Sequence, residues 1–558
     1  MKRAALGGAA SAALLLCWWG AGIRPAALVD PANLRAVGAF AGGLFPPDFS
    51  PGFLRVVGEA TIRTLGISVA GTLLSTVLGL VLGVLGTASL WRRGPLFDAQ
   101  RPGPILATLS LVARAAARFL RSVPDLVWAL LFVVAFGLGP LPGTLALAVS
   151  YAGVLGRVYA DLFEAVPEGP VLALHSAGAS RLQVFVAAIW PQAAGSVTAY
   201  TLYSFECCVR SAAVLGLVGA GGIGAEINLS MRLFEYGQVT TLLLAFVALV
   251  LGVDAFSRAL RGRFRRNAVH GSGVLRDTVE VRSRRLGTRI LWALVLVAAF
   301  AQAGFASLAA PDLLPHLWRF TRQLFPPDLS PSFLASILAP LWQTVAISVM
   351  GTALGMVVGA ALALPATSTW MLDPEASLRP LRGLLYAASR TVLALLRSIP
   401  ELIWVLLCIL AVGLGPFAGV LALGLHTAGV LGKLYAESLE EVPPDPVEEL
   451  RGIGASGFQR LLWAAWPQAR ETLASYTLLR WDHNLRASTV VGLVGGGGIG
   501  LALYNAVQLG FYDRAATLVL VVFLLISLTD GLADLLRRRK PAPQAAPESA
   551  LALLAEAG

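Results

Sequence analysis

Apolar residues dominate long stretches of this chain, and short polar segments separate them. A helix needs roughly 20 mainly apolar residues to cross the hydrocarbon of a membrane. Several runs reach that length, and Gly-Pro pairs in two GLGP segments are expected to break the longest of them. The pattern therefore predicts an all-α polytopic membrane protein. The main apolar runs are 65–90, 126–149, 240–253, 290–305, 345–364, 402–425 and 517–528.

The same sequence pattern occurs twice. The twenty residues from Arg121, RSVPDLVWALLFVVAFGLGP, match RSIPELIWVLLCILAVGLGP from Arg397 at 12 positions. LFPPDFSPGFL at Leu44 returns as LFPPDLSPSFL at Leu324, and AGVLGRVYA at Ala152 returns as AGVLGKLYA at Ala428. The offset is 280 residues early in the chain and 276 later. A tandem duplication explains the pattern, so each half is expected to be one structural unit.

Each half is predicted to contain six spans, about 12 in all. The domains expected are a first repeat over 1–260, an Arg-rich linker over 261–286, a second repeat over 287–540 and a mobile tail over 541–558. An even number of spans gives both repeats the same orientation, as in parallel transporter repeats. The apolar N-terminal segment is interpreted as a retained first span, because its counterpart near residue 290 is internal and is no cleaved signal.

Composition and charge placement support this interpretation. Hydrophobic residues make up 56% of the 558 residues, charged residues only 13%, and mean hydropathy is +0.73; soluble domains carry about 25% charged residues. The net charge of +11 is concentrated in the linker and next to the termini. Positive residues favour the cytoplasmic side, so both termini are expected in the cytoplasm. The four cysteines have no metal-ligand or disulfide spacing.

Two glycine runs contain G-x-G-x-x-G, LGLVGAGGIG from Leu215 and VGLVGGGGIG from Val491. A dinucleotide turn follows a β-strand and has an acid about 20 residues on, whereas these runs follow apolar helical segments and lack that acid. A close-packed bend is favoured, because glycine permits unusual backbone angles and close helix contact. Two interpretations of the bend remain: a simple turn before the sixth span, or a turn that also lines a translocation path. The path candidates are Gly219, Gly221, Gly222, Gly495, Gly497 and Gly498.

The fifth predicted span of each half carries charge. Glu206 and Arg210 are four residues apart, as are Asp482 and Arg486, a spacing that lets side chains pair on one helix face. Charged residues inside a membrane are costly, and they usually face a bundle interior or a wet cavity. Two interpretations stay open. The pairs are internal salt bridges, or the arginines contact an anionic substrate.

A polar segment lies between the fourth and fifth spans of each half. The first reads EAVPEGPVLALHSAGASRLQVFVAAIWPQA and the second EEVPPDPVEELRGIGASGFQRLLWAAWPQA. Each contains a proline cluster, a short helical stretch, GAS, and an amphipathic run that ends in Trp-Pro-Gln. A short helix across the cytoplasmic face is suited to transmit movement from an external motor.

This segment resembles the EAA loop of ABC-importer permeases. Gly178 and Gly454 match the glycine of that pattern, and Glu448 matches its glutamate, followed by Glu449. The first half departs, with Leu172 at the glutamate position and Ala173 after it. Together with LFPPDFS, RSIPELIW and GLVGGGGIG, the whole chain resembles the permease of the phosphonate ABC importer family, duplicated and fused in one chain.

The resemblance implies the type I ABC importer permease fold in a multi-pass inner-membrane protein. It also implies two copies of a cytoplasmic ATPase docked on the two loops, and an extracytoplasmic phosphonate-binding protein. ATP and Mg would be used by the ATPase, and this chain would bind no cofactor, metal or nucleic acid and catalyse no covalent step. Membrane lipid is the other partner. The alternatives are a permease for methionine or phosphate, and an ion-coupled secondary transporter.

Overall fold

The computed structural model describes residues 2–91, 104–269, 296–309, 313–372 and 379–538. Every regular element within these ranges is helical, so the prediction of an all-α protein is confirmed. Most of the predicted linker, the start of the first span of the second repeat and the predicted tail lie outside the described residues.

From α2 onward, the helices of the first half recur in the same order in the second half. The first half contains α1 Lys2–Gly20, α2 Pro31–Gly43, α3 Pro51–Gly86, α4 Ala88–Trp91, α5 Pro104–Ser122, α6 Asp125–Phe136, α7 Pro140–Glu164, α8 Glu168–Ser176, α9 Arg181–Val184, α10 Trp190–Leu215, α11 Ile223–Arg232 and α12 Tyr236–Val269. The second half contains α13 Leu313–Leu324, α14 Pro331–Ala366, α15 Ser368–Met371, α16 Arg379–Ser398, α17 Glu401–Val412, α18 Pro416–Glu440, α19 Pro444–Gly452, α20 Gly457–Arg460, α21 Trp466–Val491, α22 Gly498–Gln508 and α23 Tyr512–Arg538.

Seven helices of the described residues are long and apolar enough to cross a membrane, or up to ten if each of three bent pairs is one span. These ten correspond to the second to sixth predicted spans of each half. The predicted total of about 12 also counts the two first spans. The first of these is α1, of which Ser11–Gly20 forms a shorter apolar helix, and the other begins outside the described residues.

The third span of each half is sharply bent. Helices α5 and α6 meet at 90°, and α16 and α17 meet at 98°. The bend falls at Pro124 and at Pro400, because proline has no N–H to continue the helix and restricts the residue before it. The sequence predicted the later breaks at GLGP, which are confirmed: α6 ends at Phe136 before α7 begins at Pro140. It did not predict the bend inside the third span.

Small residues bring the second and fourth spans into close contact. A Cβ added at Gly71, Gly79 or Gly83 of α3 would lie 2.9, 2.7 or 2.8 Å from the Cβ atoms of Leu147, Leu155 or Tyr159 of α7. Helices α14 and α18 meet in the same way through Gly351 and Gly359, which correspond to Gly71 and Gly79, and through Gly355, which stands at the position of Ser75. In a membrane, helices associate largely by such close packing, so these two contacts form the centre of each half.

The chain folds into two compact units that do not follow the sequence repeats. The C-terminal unit contains residues 1–41 and 326–558, and the N-terminal unit contains residues 42–325. Thus α1 packs on α14 of the second repeat, where a Cβ on Gly20 would meet Trp342. Residues 296–309 pack on the first repeat, where a Cβ on Gly66 would meet Gln302. Each unit therefore includes the N-terminal segment of the other repeat.

The repeated PPDFSP and PPDLSP segments are each hydrogen-bonded to the start of the sixth span of their repeat. The backbone N–H of Asp48 donates to Gly237 O (3.2 Å), and Thr241 donates to Asp48 O (2.8 Å). In the second repeat Asp328 is bound in the same way by Asp513 (3.2 Å) and Thr517 (2.8 Å). The hydrogen bond from the backbone N–H of Ser50 (2.9 Å) lowers the pKa of the Asp48 carboxyl below its usual range.

Candidate functional site

The polar loop between the fourth and fifth spans has the same geometry in both halves. Helix α8 ends with Gly178 at φ +85°, where Gly178 N donates to His175 O (2.9 Å) and Ala179 N donates to Leu174 O (3.1 Å). These two bonds form a Schellman motif, which favours glycine at the left-handed position. Ser180 and Gln183 then form a capping box that starts α9.

The second loop repeats this arrangement with its own residues. Helix α19 ends with Gly454 at φ +82°, and the same two bonds run from Gly454 to Arg451 (2.9 Å) and from Ala455 to Leu450 (3.0 Å). Ser456 and Gln459 form the second capping box. The glycine common to both loops is therefore explained by a helix end, which an alanine would strain.

The predicted docking residues are exposed in both loops. Leu172, with 39% of its surface exposed, and Ala173 lie on α8, and Glu448 and Glu449 lie on α19. The two loops differ in what lies next to their first helix. Next to α19 is a cavity of about 330 Å³ lined by Trp370, Glu440, Glu448, Arg451 and Arg460. At the position of Gly457, which also lines that cavity, the first half has Arg181, whose guanidinium donates to Leu90 O (2.9 Å).

An ion pair lies at the end of the fourth span in each half. Arg390 of α16 donates to Glu440 (2.7 Å) and to Ala366 O (2.8 Å), and Glu440 also accepts from the backbone N–H of Ser368 (2.6 Å). The Glu440 carboxylate thus accepts hydrogen bonds both from Arg390 of the third span and from the first backbone N–H of α15. Arg114 and Glu164 form the same contacts in the first half. The sequence analysis did not identify this pair.

Each glycine run forms a tight turn between the fifth-span helix and the short helix that follows. The φ angles are +105°, +78° and +73° at Gly219, Gly221 and Gly222, and +101°, +81° and +73° at Gly495, Gly497 and Gly498. These values lie in the region that L-residues with side chains rarely occupy. The preceding element is a helix, so the arrangement is not that of a dinucleotide-binding turn.

The glycine turns are held against the second span and the GLGP segment. Ile223 N donates to Thr64 Oγ1 (2.9 Å), and Gly139 N donates to Gly219 O (3.0 Å). In the second half Ile499 N donates to Thr344 Oγ1 (2.8 Å), and Gly415 N donates to Gly495 O (3.1 Å). The turns are therefore close-packed junctions, as the sequence predicted.

The charges on the fifth span differ between the halves. In α21, Arg486 donates to Asp482 (3.0 Å), the predicted four-residue pair, and also to Asp530 of α23 (2.7 Å). In α10, the guanidinium of Arg210 donates to Cys207 Sγ (3.4 Å), and Glu206 is buried with 9% of its surface exposed. Arg486 is therefore paired with two carboxylates.

A second charged cluster in the C-terminal unit was missed by the sequence analysis. Glu401 is the first residue of α17, directly after the bend of the third span. Its Oε1 atom lies 3.3 Å from Arg480 Nη2, 3.3 Å from His483 Nε2 and 3.3 Å from His426 Nε2. The signal was present, since ionisable residues in apolar runs mark functional positions by default, but Glu401 and His426 lie 79 and 54 residues before Arg480.

The cluster extends into a buried polar network. Asn484 donates to Thr352 (2.8 Å) and to Thr427 (2.9 Å), and Arg480 Nε lies 3.5 Å from the same Thr427 hydroxyl. Asn484 is fully buried, and buried polar groups need such partners. The network joins the second, fourth and fifth spans of the C-terminal unit.

Two helical repeats, each with a structured loop before the fifth span, define a membrane permease. The family model described as "Binding-protein-dependent transport system inner membrane component" matches residues 105–266 and 376–540, which is more than half of the chain. The chain belongs to this family of ABC-importer permeases, and it carries two copies of the family domain.

Relatives named for phosphate, phosphite and phosphonate transport match the whole chain or part of it. The chain is 32% identical over 530 residues to the phosphate-import permease protein PhnE of Mycolicibacterium smegmatis, covering 94% of this chain and 93% of that protein. The phosphite transport system permease protein PtxC of Stutzerimonas stutzeri is 36% identical and covers 46% of this chain and 89% of itself. The putative cryptic phosphonate permease PhnE2 of Escherichia coli is 40% identical, over 21% of this chain and 98% of itself.

Proposed function

We propose that this chain is the complete translocation pore of an ATP-driven importer for a phosphorus oxyanion such as phosphonate, phosphite or phosphate. The observation that carries the proposal is the 94% coverage by a full-length relative named for phosphate import, together with shorter relatives named for phosphite and phosphonate. These anions share tetrahedral phosphorus with several charged oxygens, and this common chemistry is the cargo class proposed here.

Two copies of a cytoplasmic ATPase are proposed to dock on the two loops. Helices α8 and α19, each ended by a glycine and followed by a capping box, are short exposed levers at equivalent positions. On this proposal both termini are cytoplasmic, and an extracytoplasmic binding protein delivers the oxyanion at the opposite side. ATP and Mg belong to the ATPase, and this chain performs no covalent chemistry.

The cargo path is proposed to run past the fifth spans and their glycine turns. The packing of Gly219, Gly221 and Gly222, and of Gly495, Gly497 and Gly498, supports a junction where helices meet closely. Glu206, Arg210, Asp482 and Arg486 lie on the same two helices. The two carboxylates at Arg486 (3.0 and 2.7 Å) make that arginine a poor binding group for an anion.

Uptake into proteoliposomes that contain this chain, its ATPase and its binding protein tests the proposal. Labelled methylphosphonate, phosphite and phosphate are supplied outside, and ATP or a non-hydrolysable analogue is enclosed. We expect uptake of at least one of the three anions with ATP and none with the analogue. Uptake that needs a proton gradient and ignores ATP would instead indicate a secondary transporter, and ATP-dependent uptake of methionine alone would contradict the cargo class.

A further inference from the structure

The cluster around Glu401 has the donor set that a tetrahedral oxyanion takes. One guanidinium and two imidazoles, from the fourth and fifth spans, converge on a single carboxylate oxygen, each at 3.3 Å. Charge-assisted N–H···O bonds are ordinarily about 2.7–2.9 Å long. One oxygen therefore lies at long distances from three basic nitrogens, whereas an anion with several oxygens offers a separate oxygen to each.

The permanent cation of the cluster is Arg480, and the Glu401 carboxylate balances its charge. His426 Nδ1 lies 3.0 Å from Ile399 O and its Nε2 lies 3.3 Å from Glu401 Oε1. Each imidazole carries a charge only when it is protonated. An anion that displaces the Glu401 carboxylate would take over its cationic partner, the Arg480 guanidinium.

Partial exposure gives the cluster an opening. The Arg480 side chain is 7% exposed and therefore held in place, whereas the side chains of His483 and Glu401 are 28% and 23% exposed. His483 and Glu401 thus form the more open part of the cluster. Glu401 is the first residue of α17 and lies next to the 98° bend.

The first half has no equivalent donors. By the repeat offset, Asp125 stands in place of Glu401, Ser150 in place of His426, Ser204 in place of Arg480 and Cys207 in place of His483. The bend and the carboxylate are therefore duplicated, but the ring of basic side chains is present only in the C-terminal unit of the described chain.

We propose that Arg480, His426 and His483 form a single, transient binding site for the transported oxyanion, which Glu401 occupies when no anion is bound. This inference rests on the proposed function and names its intramembrane site. The anion exchanges with the carboxylate for the same donors, so its binding is weak and reversible. A translocation site must bind its cargo well enough to admit it and weakly enough to release it, and competition by Glu401 supplies that balance.

Anion binding to the permease–ATPase complex in nanodiscs, without binding protein, tests the site. The probes are methylphosphonate, phosphite and inorganic phosphate, followed by ³¹P line broadening. We expect weak binding by the unaltered complex and about tenfold tighter binding by Glu401→Gln, because the competing charge is removed. The same variant is expected to slow uptake at saturating anion, since release becomes harder.

Removal of the Arg480 guanidinium provides the second part of the binding experiment. Arg480→Gln is expected to abolish binding, and the double variant Glu401→Gln/Arg480→Gln, which leaves no uncompensated charge between these two residues, is expected to fold and also fail to bind. Asp125→Asn is the matched control in the first half and should bind like the unaltered complex. Retained binding by the folded double variant, or weaker binding by Glu401→Gln, would overturn the proposal.

The results of the uptake and binding experiments test the site and the proposed function independently. If phosphorus oxyanions are imported with ATP but the double variant still binds them, the site is wrong and the function stands. If none of the three probes binds, while sulfate or a carboxylate binds in an Arg480-dependent manner, the anion site stands and the cargo class is wrong.

Discussion

Replacing Gly500 with alanine is expected to abolish the folded permease. A Cβ at this position would lie 1.9 Å from the carbonyl oxygen of Thr489 and 3.0 Å from the Cα of Gly492. Both are backbone atoms, so no side-chain rotation relieves the overlap, and the glycine turn would have to open. Overpacking of a close-packed interior costs roughly 1–3 kcal/mol, and a backbone overlap this short is expected to exceed that range.

Two other glycines near the C-terminal end of the chain supply matched controls. Gly531→Ala, in α23, places its Cβ in open space and is expected to be neutral. Gly510→Ala also has open space but a φ of +77°, so it should cost only the backbone strain of about 1–2 kcal/mol. The yield of monodisperse complex and its thermal midpoint give the comparison. A Gly500→Ala complex as stable as Gly531→Ala would contradict the close-packed turn.

Removing the guanidinium of Arg390 is expected to cause the second-largest loss of stability. The side chains of Arg390 and Glu440 are 29% and 23% exposed, so Arg390→Ala leaves a partly buried carboxylate that has lost its cation. Hydrogen bonds to charged groups contribute about 1.5–3 kcal/mol, and solvent screening at this exposure favours the lower end. We therefore expect a clear fall in the thermal midpoint of the complex.

Arg157 provides the comparison for a surface pair. It lies 2.9 Å from Asp161 on α7, but both side chains are more than half exposed, at 55% and 52%. Exposed pairs at this helical spacing contribute about 0.3–0.5 kcal/mol, so Arg157→Ala should leave the midpoint almost unchanged. Equal effects of Arg157→Ala and Arg390→Ala would show that the Arg390–Glu440 pair does not hold the third span to the fourth.

Local signals in the sequence predicted much of the fold. Runs of apolar residues located the spans, GLGP located two breaks, and Gly178 and Gly454 identified loops whose helix ends need a left-handed residue. These features depend on residues that are close in the sequence, so they are visible as apolar runs or as Gly and Pro at fixed places. The exchange of N-terminal segments has no such sequence pattern, because the hydropathy of α1 is the same whichever repeat it packs on.

The charged cluster was missed for a related reason. Asp482 and Arg486 share one helix, so their pairing follows from a spacing of four residues. Glu401, His426 and Arg480 lie on three different helices, and only the bend of the third span and the packing of α17 and α21 on α18 bring them together. The sequence therefore identified the charged helix and left open whether Arg210 and Arg486 form internal salt bridges or contact the anion. In the structure, two carboxylates pair with Arg486.

The mass of the complex purified gently through a tag on this chain tests most directly the central claim, that one chain supplies both halves of an ATP-driven pore. The account predicts one 558-residue chain with two ATPase copies, one for each of the loops ended by Gly178 and Gly454. A preparation that contains no ATPase and still transports its substrate down an ion gradient would contradict it.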